Sequence, residues 1–142
     1  MPPCHSGAAP WPVYRKGADE VFGHAKQVGF VGVSDLDAAE RFYGGVLGLD
    51  LLDARPLALV HDTPACQLRI TAVDEVRAAP YTVLGWIVAE LEEEMDRLIE
   101  AGVSFNRYDG MVQDDRGIWA APGGARVAWF HDPDGNNLSL QS

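Results

Sequence analysis

The sequence predicts an α+β domain in which two βαβββ modules form one cupped mixed β-sheet with the helices outside. A short apolar, β-branched run that ends at an acidic residue occurs twice, as VGFVGVSD at 28–35 and as VLGWIVAE at 83–90. Such runs are typical of buried strands. An amphipathic helix pattern follows each run directly, and short strand patterns separated by turn residues follow each helix. This repeated order is the basis of the fold prediction.

The first module is expected to cover about 27–73. After its first strand, apolar side chains recur at helical spacing, at Ala39, Phe42, Tyr43, Val46 and Leu47. Ser34 is the predicted N-cap, with Asp37 three residues later in an Asp variant of the capping box, and Gly48 is placed to end the helix. The glycines at 44–45 each cost about 1 kcal/mol relative to alanine, so another contact must offset them. Further strands are predicted at 49–52, 57–60 and 67–73.

The second module is expected to cover about 82–142 and to contain one additional hairpin strand. Its helix pattern ends at Gly102 and carries one apolar face, formed by Leu91, Met95, Leu98 and Ile99. Strands are predicted at 103–108, 117–121, 126–130 and 138–141. The PGGA segment at 122–125 predicts a hairpin, and DPDGN at 132–136 predicts a tight turn.

Composition narrows the possible partners. A chain of 142 residues suits one domain, and no apolar stretch is long enough for a membrane-spanning helix. The net charge of −10 repels phosphate backbones and anionic lipids, which argues against nucleic acid and membrane partners. Much of the acid lies on the second helix, which is interpreted as a solvated face; an acidic docking surface is the alternative.

The N-terminal residues 1–26 are expected to form an extension to the domain at 27–142. Its aromatic residues Trp11, Tyr14 and Phe22 predict docking on its own domain or on a neighbouring subunit. Cys4 and Cys66 have neither a disulfide framework nor metal-binding spacing, and the prolines of the N-terminal segment do not suit a signal peptide. A cytoplasmic setting is therefore expected.

The run SDLDAAERFYGGVLGLDLL and the ending RVAWFHDPDGNNLSLQ carry a family signal. Together with the second strand–helix copy, they resemble the glyoxalase, bleomycin-resistance protein and extradiol dioxygenase group, also called the vicinal oxygen chelate superfamily. The resemblance extends over about 27–141 and implies the paired-module fold. It also implies a homodimer whose clefts are shared between modules. The reaction does not follow, because one fold supports many reactions.

The resemblance implies four positions at which related metal enzymes hold an ion, on the first and last strand of each module. In this chain they correspond to Val28, Arg69, Val83 and Ser139, with Gln67 in place of Arg69 if the register differs by two. These side chains offer no imidazole and no carboxylate, so neither a metal nor another cofactor is predicted. In the competing interpretation the histidines rebuild a metal site elsewhere. His5, His24 and His131 are weaker candidates than His61.

The same strand faces predict a cavity for an organic ligand. Its floor is expected to carry Phe30 and Arg69 from the first module and Ser139 and Gln141 from the second. Trp119 is the preferred aromatic wall, Tyr108 is a further aromatic candidate, and Met111 lies on a polar loop at the expected cavity mouth. Arg69 must pair if it points inward, either with an anionic ligand or with an acid such as Asp62 or Asp74.

These observations lead to one functional hypothesis and two alternatives. The chain is expected to bind a planar, partly apolar, anionic organic compound without a metal, for sequestration or for a lyase or isomerase step. The first alternative is a metal-dependent lyase or extradiol-dioxygenase-type enzyme with recruited histidines, and the second is a non-catalytic protein-interaction module. No catalytic residue is assigned, because the sequence has no nucleophile elbow, phosphate-binding loop or dinucleotide motif.

Overall fold

Two four-stranded mixed sheets and two helical segments form the protein, in a computed structural model that describes residues 22–142. The strands of the first sheet are β1 (Gln27–Val33), β2 (Leu52–Ala54), β3 (Ala58–Asp62) and β4 (Cys66–Ala72). Those of the second are β5 (Leu84–Ile87), β6 (Trp119–Ala120), β7 (Arg126–His131) and β8 (Asn137–Gln141). The predicted α+β class and the paired βαβββ modules are confirmed.

Both sheets have the same topology. The spatial order is β1-β4-β3-β2 in the first and β5-β8-β7-β6 in the second. In each sheet the first strand of the module lies at one edge and pairs in parallel with the last strand, while the other neighbours are antiparallel. The repeat seen in the sequence is therefore a repeat of strand order and direction.

The strand ladders differ from the expectation of one continuous sheet, because no ladder between described residues joins the two modules. The additional strand predicted at 103–108 is also wrong. Its one backbone hydrogen bond to a strand, from the Asn106 amide to the Trp129 carbonyl at 2.8 Å, does not make a ladder, so the second module has the same number of strands as the first. The strand predicted at 49–52 starts later, at Leu52.

The first helix begins one residue later than predicted. Asp35 has extended backbone angles and its carboxylate accepts hydrogen bonds from the amides of Asp37 and Ala38, so Asp35 is the N-cap and the Ser34 prediction is wrong. The Ser34 side chain instead binds Asp134 of the second module. The turn after the helix contains Gly48 at a φ of +76°, as expected for a helix end.

The helix changes character after its first turn. Helix α1 covers Leu36–Ala39, and a π-helical segment, Glu40–Val46, continues it. Its wider winding is seen in the hydrogen bond from the Leu47 amide to the Phe42 carbonyl, five residues earlier. Gly44 lies against Leu51: a Cβ at position 44 would be 3.3 Å from a methyl group of that leucine. This close approach explains one of the two costly glycines.

The second helix, α2 (Leu91–Glu100), matches the predicted position, but Ile99, which was expected on its apolar face, is 51% exposed. The helix buries Leu91, Met95 and Leu98 and exposes its acidic side chains, and Gly102 follows it at a φ of +98°. Neither helical segment within residues 22–142 has the length and apolar character needed to cross a lipid bilayer.

One hydrophobic core unites the two modules. Its fully buried members come from both sheets and both helices, and the Phe42 ring lies 6.4 Å from the Phe130 ring between centroids. Tyr43, which is fully buried, donates a 2.7 Å hydrogen bond to the buried carboxylate of Asp132. Both the desolvation of the Tyr43 phenol and the nearby Asp132 charge raise its pKa, so this hydroxyl stays protonated.

The predicted DPDGN turn is confirmed, and it also joins the modules. Within the turn, the Gly135 amide donates to the Asp132 carbonyl at 3.0 Å. Across the modules, the Asn136 carboxamide donates to the Gly32 carbonyl of β1 at 2.9 Å. The PGGA hairpin is confirmed as well, with the Gly124 amide donating to the Ala121 carbonyl at 2.9 Å.

The predicted docking of the N-terminal extension rests on aromatic residues of which Trp11 and Tyr14 lie outside the described residues. Phe22, the third, is 89% exposed.

Candidate functional site

The two modules present equivalent ladder positions with different side chains. Phe30 of β1 pairs with Arg69 of β4 in the first sheet, and Gly85 of β5 pairs with Ser139 of β8 in the second. The next antiparallel strand adds Val60 beside Arg69 and Trp129 beside Ser139. Since side chains alternate along a strand, each set of three lies on one face of its sheet. We refer to these as the first-module face and the second-module face.

The second-module face contains a cavity of about 430 Å³. This volume falls in the range of small-molecule sites. Its lining residues come from β5, β7, β8 and the segment before β5, namely Thr82, Val83, Leu84, Gly85, Trp86, Ile87, Val127, Trp129, Ser139 and Gln141. Two predicted site residues, Ser139 and Gln141, therefore lie together in one cavity.

Gly85 and Ser139 form the floor of this cavity. Ser139 is only 5% exposed, and a Cβ at position 85 would lie 2.5 Å from the Ser139 Oγ. The φ of Gly85 is not positive, so its backbone conformation does not require glycine. Glycine leaves space for the serine hydroxyl in this arrangement, and a larger residue would require the Ser139 side chain to move.

An aromatic cluster forms one side of the second-module face. The Trp129 ring lines the cavity, with Tyr108 edge-on at 5.6 Å and Trp119 tilted at 6.0 Å between ring centroids. The Trp129 indole donates a 3.0 Å hydrogen bond to the Thr82 hydroxyl, which fixes the ring. Trp119, the preferred wall residue in the sequence analysis, thus supports the wall, and Trp129 provides it.

The Gln113 side chain connects the loop at 109–117 to the segment before it. The Gln113 carboxamide accepts from the Tyr108 amide at 2.8 Å and donates to the Gly117 carbonyl at 2.7 Å and to the Asn106 carbonyl at 3.0 Å. These bonds position Tyr108 against Trp129. Met111, on the same loop, is half-buried and does not line the cavity.

The first-module face is open and carries the other two predicted site residues. Phe30 is 64% exposed, and its ladder partner Arg69 is half-buried. The Arg69 guanidinium donates a 3.2 Å hydrogen bond to the Gln67 carboxamide. Two residues further along β4, the buried Thr71 hydroxyl has no hydrogen-bond partner among residues 22–142. This face therefore has a hydroxyl group, that of Thr71, without a hydrogen bond in the described residues.

The expected alternative, a salt bridge from Arg69 to Asp62 or Asp74, is not formed. Asp62 pairs with Lys26, which lowers the pKa of its carboxyl group. Within residues 22–142, no carboxylate lies within 4.0 Å of the Arg69 guanidinium. Arg69 is therefore a half-buried cation without an acidic partner in the part of the chain that the structure describes.

The residues at the four implied metal positions do not fit a metal ion. Val28 and Val83 have no donor atom, and Arg69 is a cation. His61, the preferred recruited histidine, points to the opposite side of β3 from Val60, and its Nδ1 lies 3.0 Å from the Asp50 carbonyl. In the described residues, no three His, Cys, Asp or Glu side chains come together as metal ligands would. His5 lies outside the described residues.

A second cavity, of about 400 Å³, lies on the helix side of the molecule. The π-helical segment contributes Phe42 and Val46, and the segment after α2 and the end of β7 contribute Asn106 and His131. The Asn106 carboxamide is within 3.3 Å of the His131 Nδ1. None of the predicted site residues lines this cavity.

The acidic face of α2 is considered above as a docking surface. Three of the six acidic residues at 90–100 form ion pairs with arginines of their own module. Glu92 forms a bidentate pair with Arg126, at 2.9 and 2.7 Å, and this contact lowers the pKa of the Glu92 carboxyl group. Arg116 pairs with Asp96, and Arg97 pairs with Glu94 at 3.0 Å. These pairs support the interpretation as a solvated face.

Sequence reasoning missed several cavity residues, among them Thr82 and Val127. Strand parity could have found Val127, because it has the same parity as Trp129 and pairs with Gln141. Thr82 precedes β5 and has no such signal: its place in the site depends on the Trp129 indole reaching it across the fold.

Comparison with known proteins agrees with this geometry. The family model described as Glyoxalase/Bleomycin resistance protein/Dioxygenase superfamily matches residues 22–140. No curated protein matches the chain at a significant level.

Several solved structures are similar to the whole paired-module domain. A lactoylglutathione lyase from Agrobacterium tumefaciens has a TM-score of 0.63 and 20% identity, covering 82% of this chain and 92% of that one. A glyoxalase family protein from Enterococcus faecalis has a TM-score of 0.58 and 25% identity, covering 88% and 98%. A glyoxalase/bleomycin resistance protein from Streptomyces sp. CB03234 has a TM-score of 0.57 and 23% identity, covering 83% and 100%. At these identities the likeness establishes the fold.

Proposed function

Because the chain belongs to the glyoxalase/bleomycin resistance protein/dioxygenase superfamily, we propose that it binds a planar, partly apolar, anionic organic compound on its open sheet faces without a metal ion. The observation that carries the proposal is Arg69, a half-buried guanidinium with a neutral glutamine as its hydrogen-bond partner and no acid within reach in residues 22–142. A partly desolvated cation without a counter-charge is unfavourable. A carboxylate, enolate or phenolate would supply that charge in bidentate geometry.

The surroundings of Arg69 support a ligand with a flat apolar body. Phe30, its neighbour on the parallel strand, leaves 64% of its surface exposed on the same face. On the other module, Trp129 presents an indole that Tyr108 and Thr82 hold in place. Fixed aromatic surfaces favour planar ligands by stacking and by excluding water.

The proposal includes a homodimer in which the first-module face of one copy meets the second-module face of the other. Both faces carry apolar side chains that a monomer leaves in water, including Phe30 at 64% and Ile87 at 81% exposed. The strands β1 and β5 are also edge strands, with one side free to approach a neighbour. Such a dimer would bring Arg69 and Trp129 to one ligand. We retain the cytoplasmic setting, on the cysteine pattern alone.

Light scattering after size-exclusion chromatography tests the dimer. We expect a dimer for the wild-type chain and a monomer for Ile87→Lys, because the lysine would place a charge inside the interface. Val112→Lys is the matched control, since Val112 is 87% exposed on a loop outside both sheet faces. A monomeric wild-type protein would contradict this part of the proposal.

Calorimetric titration with 2-naphthoate, a flat aromatic carboxylate, tests the ligand class. We expect Arg69→Met to weaken its binding about tenfold, as for loss of a charged hydrogen bond. Arg77→Met is the control, because Arg77 is exposed and contacts only Glu75 among the described residues. Binding that is equally strong in both variants, or no binding to the wild-type protein, would refute the assignment of Arg69.

A further inference from the structure

The cavity on the second-module face has polar groups but no charge. Three of its lining side chains are polar, Thr82, Ser139 and Gln141, and none is acidic or basic. The Thr82 hydroxyl already accepts the hydrogen bond of the Trp129 indole. Ser139 and Gln141 make no side-chain hydrogen bond within residues 22–142. Two uncharged hydrogen-bonding groups therefore remain for a ligand.

Ser139 is the more informative of the two, because it is 5% exposed and still has no partner in the described part of the chain. The Ser139 Oγ is nevertheless reached from the cavity, because among the described residues only the Thr71 Oγ1 is both fully buried and without a hydrogen-bond partner. A molecule in the cavity can therefore hydrogen-bond to this hydroxyl. The Ser139 hydroxyl lies on the cavity floor beside Gly85, where a side chain would cover it. The missing Cβ keeps this hydroxyl accessible from the cavity.

The basic residue of β7 that is nearest to the cavity already forms an ion pair. Arg126 points its guanidinium to the Glu92 carboxylate on α2, with both nitrogens bonded. Arg69, the unpaired cation, belongs to the other sheet. A carboxylate placed on the floor of the second-module cavity would therefore lose hydration without gaining a counter-ion from the same module, which is unfavourable. An uncharged group loses much less.

We propose that this cavity takes the uncharged, hydrogen-bonding end of the ligand, a flat carboxamide or lactam, and that Gly85 and Ser139 determine this specificity. The inference rests on the proposed function and extends it: the compound carries an anionic group for Arg69 and an amide-like group for the second-module cavity. A hydroxyl both donates and accepts, and a carboxamide side chain offers two donors and an acceptor oxygen. Ser139 and Gln141 together therefore complement both edges of an amide, with the Trp129 ring beside it.

A matched probe pair tests the assignment. 2-Naphthamide and 2-naphthoate have the same ring system and differ in whether the end group is an amide or a carboxylate. Calorimetric titration of the wild-type protein and of Ser139→Ala gives the affinity of each probe. We expect the variant to weaken naphthamide binding about fivefold more than naphthoate binding, because only the amide uses the hydroxyl. Arg77→Met should leave both affinities unchanged.

The possible results separate this inference from the proposed function. If naphthoate binding depends on Arg69 but Ser139→Ala affects both probes equally, or neither, the inference is wrong and the proposed function stands. If the amide depends on Ser139 while Arg69→Met changes nothing, the inference stands and the anionic assignment is wrong. If neither probe binds, both are wrong. Ser139→Ala only removes one oxygen, and its thermal unfolding will show that it folds.

Discussion

Equivalent ladder positions carry large side chains in the first module and small ones in the second. In the first module the pair is Phe30 and Arg69, and in the second it is Gly85 and Ser139, with identical strand order and direction around both. Replacing a ring and a long cationic side chain by a hydrogen atom and a hydroxymethyl group leaves the space that becomes the 430 Å³ cavity. One backbone plan thus gives a shallow, charged face and a deeper, uncharged one.

This difference shows how two modules with the same fold can present faces of different polarity and charge. The strand pairing depends on backbone hydrogen bonds and on the core-facing side chains. The outward-facing positions are free to vary, since they contribute little to the common core. The two modules can then recognise different parts of one ligand.

A substitution that fills part of the second-module cavity should give the largest change in stability. Gly85→Ala is expected to lower the free energy of unfolding by up to about 3 kcal/mol, because the new Cβ collides with the Ser139 hydroxyl. Gly29→Ala, in the first module, is the matched control: nothing lies within 4 Å of a Cβ there. Urea unfolding measures both. Addition of Ser139→Ala should restore part of the stability lost in Gly85→Ala, and a lack of recovery would mean that the collision is not the cause.

The junction between the modules should be the next most sensitive feature. Tyr43→Phe removes the hydrogen bond to the buried Asp132 and should cost about 1.5 kcal/mol in urea unfolding. The raised pKa of Tyr43 adds a pH effect with a defined sign. Above pH 10, the ordinary tyrosine value, the unfolded chain ionises and the folded phenol does not, so wild-type stability falls there. The stability of the Tyr43→Phe variant should fall less steeply with pH in this range. An equal slope in the two proteins would contradict the argument that burial keeps the Tyr43 phenol protonated.

Substitutions at the start of the first helix should have a smaller effect on the stability of the protein. Asp35→Ala removes the cap that accepts two amide hydrogen bonds and should cost about 1 kcal/mol. Ser34→Ala, at the position that sequence alone predicts as the cap, breaks only an exposed contact to Asp134 and should cost clearly less. Thermal unfolding of the two variants compares them, and the reverse order would restore the sequence-based prediction.

The acidic helix of the second module should show the weakest effect, and only at low pH. The Arg126 contact lowers the folded pKa of Glu92 below its ordinary value of 4.5. Its stabilising contribution is therefore complete above pH 4.5 and is lost as the pH falls through the lowered value. Glu92→Gln should reduce the slope of stability against pH in this acid range, and Glu93→Gln serves as the exposed control. Identical slopes would show that the pair contributes nothing.

Local patterns predicted the elements whose cause is local. The repeated strand–helix order, the end of α2 before Gly102 and both turns depend on hydrophobic spacing and on glycine at positive φ. The segment at 103–108 has strand composition but lacks a strand ladder, because pairing needs a partner strand that the sequence pattern does not specify. The choice between Ser34 and Asp35 as cap failed for a related reason: the Ser34 side chain binds Asp134, 100 residues away in the chain.

The candidate site divides in the same way. Strand parity correctly placed Ser139 and Gln141 on one face, because alternation along a strand is a backbone property. The pairing of Phe30 with Arg69 depends on the register between β1 and β4. Parity could not decide between Trp119 and Trp129 as the cavity wall. That choice depends on the Thr82 hydroxyl, which lies 47 residues from Trp129 in the chain and fixes its indole.

By itself, the sequence determined the module plan, which follows from hydrophobic periodicity, and the residue types at the four positions that the family resemblance implies. Only the tertiary structure decided that Asp62 forms its ion pair with Lys26, and that Arg69 has no carboxylate partner among the described residues. It also decided that Gly85 leaves the Ser139 hydroxyl uncovered. The physical reason is that pairing and empty space depend on distances between distant segments, and these distances exist only once the core has brought the segments together.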